Sequence, residues 1–352
     1  MALTQAQKAM IEKARSAGVG GQAVPLGDDV CAYLVAIIAR DLGLQDRFDE
    51  LPQDLPEFFE RAELGSLAVP GADFMPLVEK LVGLNADADL FFVCLASLHK
   101  RRLKYEKILQ TQPVPTIEQV GPRGLLQYGT MSPRALTGLL FWRKWLFDLD
   151  NRAGQETGYL FEPIIAHAIG GSPFGAKASP VRRSRNPQKG RQVDCIRDRK
   201  AYEFKIRVTI ASSGQGRWQE EIEFPADARH SKYTPVLVVL DATPNPKLEQ
   251  LEAAFLAARG EVYKGNEAWR HLDTVAGPTM ARFIEKYVRE PMQSLLAAVP
   301  QRLPDFRAEM DADGITLSIA GETFRIHRGL PELMEDQADD FPEDANEGIP
   351  GP

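Results

Sequence analysis

Asp194, Glu203 and Lys205 are the residues of this 352-residue chain whose types and spacing could do chemistry. They fall in the segment QVDCIRDRKAYEFKIRV, where apolar residues recur with the period of a strand. Side chains alternate along a strand, so Glu203, Lys205 and Arg207 share one face, while Tyr202, Phe204, Ile206 and Val208 share the other. The apolar face is expected to pack into the core and the charged face to be exposed. A tight polar turn over Arg197-Asp198-Arg199-Lys200 folds 192–196 back against 201–210. That fold brings Asp194 across from Glu203 or close to it, and two carboxylates converge with one ammonium. Two hard oxygen donors, completed by a backbone carbonyl and phosphate oxygens, suit Mg²⁺. Such an ion polarises a phosphate and lowers the pKa of water. A lysine crowded by the cation gives up its proton more easily, so Lys205 could orient or deprotonate that water. The resulting chemistry is in-line hydrolysis of a phosphodiester.

A Glu-x-Lys triplet alone says little, since about one is expected by chance in a chain of this length. A solvated strand face with a cross-strand ion pair would read the same way. Asp198-Arg199-Lys200 is a second acid-x-Lys match, but it occupies the turn. What separates Glu203-x-Lys205 is the conjunction of hairpin spacing, an apolar opposite face, a flanking basic stretch and an acid on an upstream helix.

These residues must be held by other elements. Residues 1–112 read as a helical region, with helices expected at 5–16, 29–42, 76–82 and 87–109. A Pro/Gly-rich stretch follows, and residues 130–300 form the expected core. Ser132-Pro133 opens a helix as cap and first residue. A second helix of a pair carries ETGYLFEPIIAHAIG and stops at Gly170-Gly171. Beyond the hairpin, PVLVVLD reads as a strand covered on both faces. A helix over 245–260, a strand at 261–264 and a helix over 278–299, bent near Pro291, complete the core. Residues 301–330 read as a C-terminal β-hairpin and 331–352 as an acidic disordered tail. The order indicates an α/β fold with a mixed central sheet flanked by helices.

Net charge is −7, yet it is unevenly placed. Residues 332–347 hold eight acids and no Lys or Arg, and the remainder carries 42 basic against 41 acidic residues. Between 182 and 207 there are ten basic residues and three acids. The local field decides whether a polyanion is attracted, so this stretch, with Lys189, Arg191 and Arg207, is a candidate DNA contact. The loop at 212–218, SSGQGRW, adds Gln215 and Arg217 as base readers, because Gln and Arg pair bidentately with adenine and guanine. Trp218 is placed with them, though a Trp tucked into the core would fit as well. Gln219, Glu220 and Glu221 could add a further acid to the site, but they cannot be phased from sequence. Three scattered cysteines without a CxxC pair favour a reducing cytoplasm. No run is long enough for a membrane span, no histidine spacing suits zinc, and no nucleotide-binding loop is present.

The arrangement Asp194…Glu203-x-Lys205 resembles the PD-(D/E)xK nuclease superfamily, with Val193 where many members have Pro. Gly158-Tyr159-Leu160-Phe161-Glu162 resembles the helix that precedes the hairpin in such enzymes. This resemblance covers about residues 150–265. EFKIRVTIASSGQGRWQEE and YTPVLVVLDATPNPKL are similar to type II restriction endonucleases of the ApaLI family. The resemblance implies a restriction-endonuclease-like fold and Mg²⁺-dependent, sequence-specific cleavage of double-stranded DNA. It also implies metal binding by Asp194, Glu203 and Glu162, with Lys205 completing the catalytic set. A cytoplasmic homodimer cutting the palindrome GTGCAC would follow. Repair or structure-selective cleavage, RNA processing, and DNA binding without catalysis remain the alternatives.

Overall fold

The computed structural model describes residues 3–16, 24–60, 64–206, 215–241 and 243–328. Four helices come first: α1 (Gln5–Arg15), α2 (Asp28–Asp41), α3 (Phe74–Leu84) and α4 (Ala88–Thr111). α1 starts at a reciprocal cap in which Thr4 and Gln7 satisfy each other's backbone N–H groups. The short α5 (Ile117–Val120) leads into α6 (Pro133–Ala168), whose Ser132 side chain caps Ala135 N–H. The expected pair of helices is therefore one 36-residue helix. Gly154 and Gly158 each cost a helix interior about 1 kcal/mol. Trp145 and Leu149 offset that by burial, and Glu156 by its ion pairs to Arg101 and Lys104 of α4. Gly170, in the left-handed region, ends the helix. At Gly171 a Cβ would lie 2.2 Å from Cys195 Sγ, so only glycine lets the chain pass this close to the sheet.

The sheet follows. Strands β1 (Ser172–Phe174), β2 (Arg182–Arg183), β3 (Asn186–Gly190), β4 (Val193–Arg197) and β5 (Lys200–Lys205) precede α7 (Gln215–His230). Then come β6 (Thr234–Val239), α8 (Pro246–Ala257), β7 (Glu261–Lys264), α9 (Asn266–Ile284) and α10 (Glu290–Ala297), the last two joined by a π-helical stretch, Glu285–Arg289. The main sheet has five strands in the order β1-β4-β5-β6-β7. β1, β4 and β5 run antiparallel, whereas β6 and β7 run parallel to β5 and to each other. The mixed sheet between helices is thus as the sequence indicated. Differences lie in extent. β5 closes at Lys205, the expected last helix is preceded by a further helical segment from Asn266 that breaks at Gly277 (φ 74°, ψ 169°) just before Pro278, and part of the expected loop at 212–218 is the first turn of α7.

Two buried cores cover the two faces of the sheet. Cys195, Tyr202, Phe204, Val236 and Val238 join a core that also holds residues of α1 to α4, α6 and α9. Val193, Ala201, Leu237 and Val239 pack with Phe224 and Ala228 of α7 and Leu248, Leu251 and Phe255 of α8. The change near residue 112 is one of chain connection; packing runs through it, since α2 and α4 share their core with the sheet. The C-terminal hairpin is the greater part of a three-stranded sheet. β9 (Gly314–Ile319) pairs with both β8 (Phe306–Met310) and β10 (Glu322–His327). It sits on α4 and α6 through Ile315, Ile326, Ile108, Trp145 and Leu149. The acidic segment 331–352 lies outside the described residues.

Candidate active site

The β4–β5 hairpin makes the site. Arg197 pairs with Lys200 across a two-residue turn in which Asp198 and Arg199 both have positive φ, 46° and 61°. Such a turn matches the twist of the strands it joins and fixes their register. Cys195 then faces Tyr202. One step further along, Asp194 turns its carboxylate onto the partner strand, and its Oδ2 accepts Phe204 N–H at 2.8 Å. Lys205 Nζ lies 2.7 Å from Glu203 Oε1 and 3.3 Å from Glu221 Oε1. Glu162, on α6, interacts electrostatically with all three of Lys205, Glu203 and Glu221. The fold therefore brings together the four expected residues, Asp194, Glu203, Lys205 and Glu162.

A further member is Glu221, the one of residues 219–221 that the sequence offered as an added acid without a phase. It reaches the site from α7, whose phase depends on where that helix starts. Once buried, Lys205 needs more negative charge than Glu203 alone, and Glu221 supplies it. The same helix corrects a second expectation. The Glu203–Lys205 face is not open to solvent, because α7 covers it, and the two side chains are only 14% and 19% exposed.

Burial and crowding set the charges. Burial pushes the Glu162 carboxyl up to about 7, with Glu203 and Glu221 adding to the shift and Lys205 opposing it. Asp194 is pushed well above the usual carboxylate range by burial and by Glu203 and Glu162. Lys205 is held further towards its charged form than a free lysine: burial works against the charge, but Glu203, Glu221 and Asp194 outweigh it. This is the balance in the metal-free site, where the carboxylates outweigh burial. Lys205 is a cation here, fit to orient a water or face a phosphate.

Four carboxylates crowd one ammonium, and two of them, Glu162 and Asp194, are pushed towards the protonated form, a set that a divalent cation would allow to ionise. Asp194, Glu203 and Glu162 are the oxygen donors that would hold it. Among the described residues no three His, Cys, Asp or Glu side chains are already closed into a ligand cage.

The expected DNA contacts are placed unequally. Lys189 is exposed on β3. Arg191 is 4% exposed and bonds Asp227 with two guanidinium nitrogens and the Glu220 carbonyl with a third. It is a structural ion pair, and its burial removes it from any DNA surface. Arg183 and Arg185 pair with Glu220 and Glu223, so α7 neutralises much of the basic stretch. Trp218 packs against the core between the sheet and α8, with Lys247 over its ring at 5.3 Å. Gln215 and Arg217 fall in the first turn of α7, but their side chains, like the whole of Arg207, lie outside the described residues. Cys31, Cys94 and Cys195 are free and buried. Among the described residues no helix is long and apolar enough to cross a membrane.

A mixed sheet whose hairpin presents Asp, Glu and Lys beside a helix-borne Glu is the framework of a restriction-endonuclease-like nuclease. Comparison with known proteins carries this further. The family described as ApaLI-like restriction endonuclease matches residues 72–289. A type II restriction enzyme, ApaLI, from Acetobacter pasteurianus is 42% identical over 334 residues, covering 87% of this chain and 88% of that protein. The chain belongs to the ApaLI-like restriction endonuclease family, and among the readings left open by sequence this selects a sequence-specific endonuclease. No solved structure matches the chain.

Proposed function

We propose that the protein hydrolyses phosphodiester bonds of double-stranded DNA with Mg²⁺ as its ion, acting as a homodimer on a palindrome, with GTGCAC the site to test first. The observation that carries this reading is the meeting of Asp194, Glu203 and Lys205 at the open end of the hairpin, where Lys205 Nζ is 2.7 Å from Glu203. Asp194 and Glu203, supported by Glu162, would hold the ion. When bound, Mg²⁺ supplies positive charge that polarises the scissile phosphate. Lys205, kept charged by its carboxylates, orients the attacking water and faces the developing phosphate charge. Glu162 holds a proton near neutral pH in the metal-free site. The exposed Lys189 offers a contact to the DNA backbone. Cutting both strands of a palindrome needs two such sites related by a twofold axis, which a homodimer provides.

The test is digestion of plasmid DNA by the purified protein with Mg²⁺, followed by mapping of the ends. Discrete fragments with ends at one palindromic sequence are expected. Lys205→Ala should retain DNA binding and lose cleavage. Smeared products would indicate structure-selective cleavage instead, and full activity in Lys205→Ala would remove this site from the reaction.

A further inference from the structure

We propose that Glu221 is a positioning residue, which holds Lys205 from a second element and ties the catalytic strand to α7. The inference deepens the nuclease reading above and rests on it. Lys205 Nζ contacts both Glu203 Oε1 at 2.7 Å and Glu221 Oε1 at 3.3 Å. A lysine ammonium ends a flexible four-carbon stem, so one carboxylate leaves its direction free and two from different elements fix it. Glu203 lies beside it on the same strand, whereas Glu221 is 34% exposed and forms the outer wall of the site.

α7 is itself firmly anchored. Glu220 pairs with Arg183 at 2.7 Å and Glu223 with Arg185 at 2.9 Å, one residue before and two after Glu221. Asp227 is bound to the buried Arg191, and Phe224 and Ala228 pack against the sheet. Glu221 is therefore delivered to Lys205 by a helix clamped to the β2–β3 hairpin and to the core. The first turn of that helix begins at Gln215, one to two turns before Glu221. Misplacing a reacting group by about 1 Å costs on the order of 10²-fold in rate.

The experiment compares wild type, Glu221→Gln and Glu221→Asp. It measures single-turnover cleavage of plasmid DNA with Mg²⁺, DNA affinity in EDTA, Mn²⁺ binding by calorimetry without DNA, and the melting temperature. The expected result for E221Q is a cleavage rate lowered about 10²-fold, with DNA affinity, Mn²⁺ affinity and melting unchanged; E221D should recover part of the rate. An unchanged rate in E221Q overturns the proposal. So does a loss of Mn²⁺ affinity in step with the rate, which would make Glu221 a metal ligand. Should E221Q melt without cooperativity, E221D carries the test: wild-type rate at shortened reach overturns, and a reduced rate with intact Mn²⁺ binding supports. Wild-type protein that leaves DNA whole overturns the nuclease reading itself.

Discussion

At the scale of single residues, the site is a cluster of acids that cannot all be charged without a cation. Asp194, Glu203 and Lys205 were legible in sequence because alternation along a strand and a short turn leave little freedom in where side chains meet. Glu221 was not, since its position follows from a helix start that no local pattern marks. The acid excess has a consequence for stability in the metal-free protein. Glu162 sits at about 7 against an ordinary 4.5, so the folded chain keeps a proton that the unfolded chain has released between those values. That contribution is complete below about pH 4.5 and is lost as pH rises through about 7. In EDTA the unfolding free energy should therefore fall from about pH 5 to about pH 8, and Glu162→Gln should flatten the fall by on the order of 2 kcal/mol in chemical denaturation. Asp194 is shifted in the same direction, so some slope should remain in the variant. Identical slopes in the two proteins would show that Glu162 is not crowded in the folded state.

Elements show where a linear reading stops short. The basic run at 182–207 looks like a patch for a polyanion when only its own residues are counted. The structure sets the acids of α7 against it, Glu220 on Arg183, Glu223 on Arg185 and Asp227 on Arg191. That helix carries Pro225 in its interior, which lacks an N–H and whose ring crowds the preceding turn. Burial of Phe224 and Ala228 and the ion pairs hold the helix through it. In the same way α6 reads as two helices until the contacts of Glu156 with α4 are known. Two substitutions separate a structural arginine from a surface lysine. Arg191→Ala leaves Asp227 buried without its partner and should cost about 3–5 kcal/mol in chemical denaturation. Lys189→Ala should leave stability intact, weaken DNA binding and reduce its salt slope by about one if Lys189 meets a phosphate. An Arg191→Ala protein of normal stability with weakened DNA binding would return Arg191 to the DNA surface.

For the molecule as a whole, the question is whether the helical N-terminal region is an appendage or part of the nuclease. The Pro/Gly-rich stretch after α4 has the composition of a linker, and composition cannot report what packs on what. In the fold, Phe91, Phe92, Cys94 and Leu95 of α4 are fully buried in the core that holds Ile164 and Ile165 of α6 and Tyr202 and Phe204 of β5. Ile164 and Ile165 follow Glu162 within one turn, so the segment of α6 that carries this acid is backed by α4. Taking α4 away would expose that face along with Tyr202 and Phe204, at a cost of about 1.5–3 kcal/mol for each large apolar side chain returned to water. Several such losses exceed the margin of a typical domain, about 5–15 kcal/mol. A chain starting after residue 112 should accordingly fail to melt cooperatively in circular dichroism and should aggregate on expression. If that truncated chain instead gave a sharp transition and cut DNA, the α4–α6 contact would be dispensable and the nuclease would be confined to residues beyond the Pro/Gly stretch.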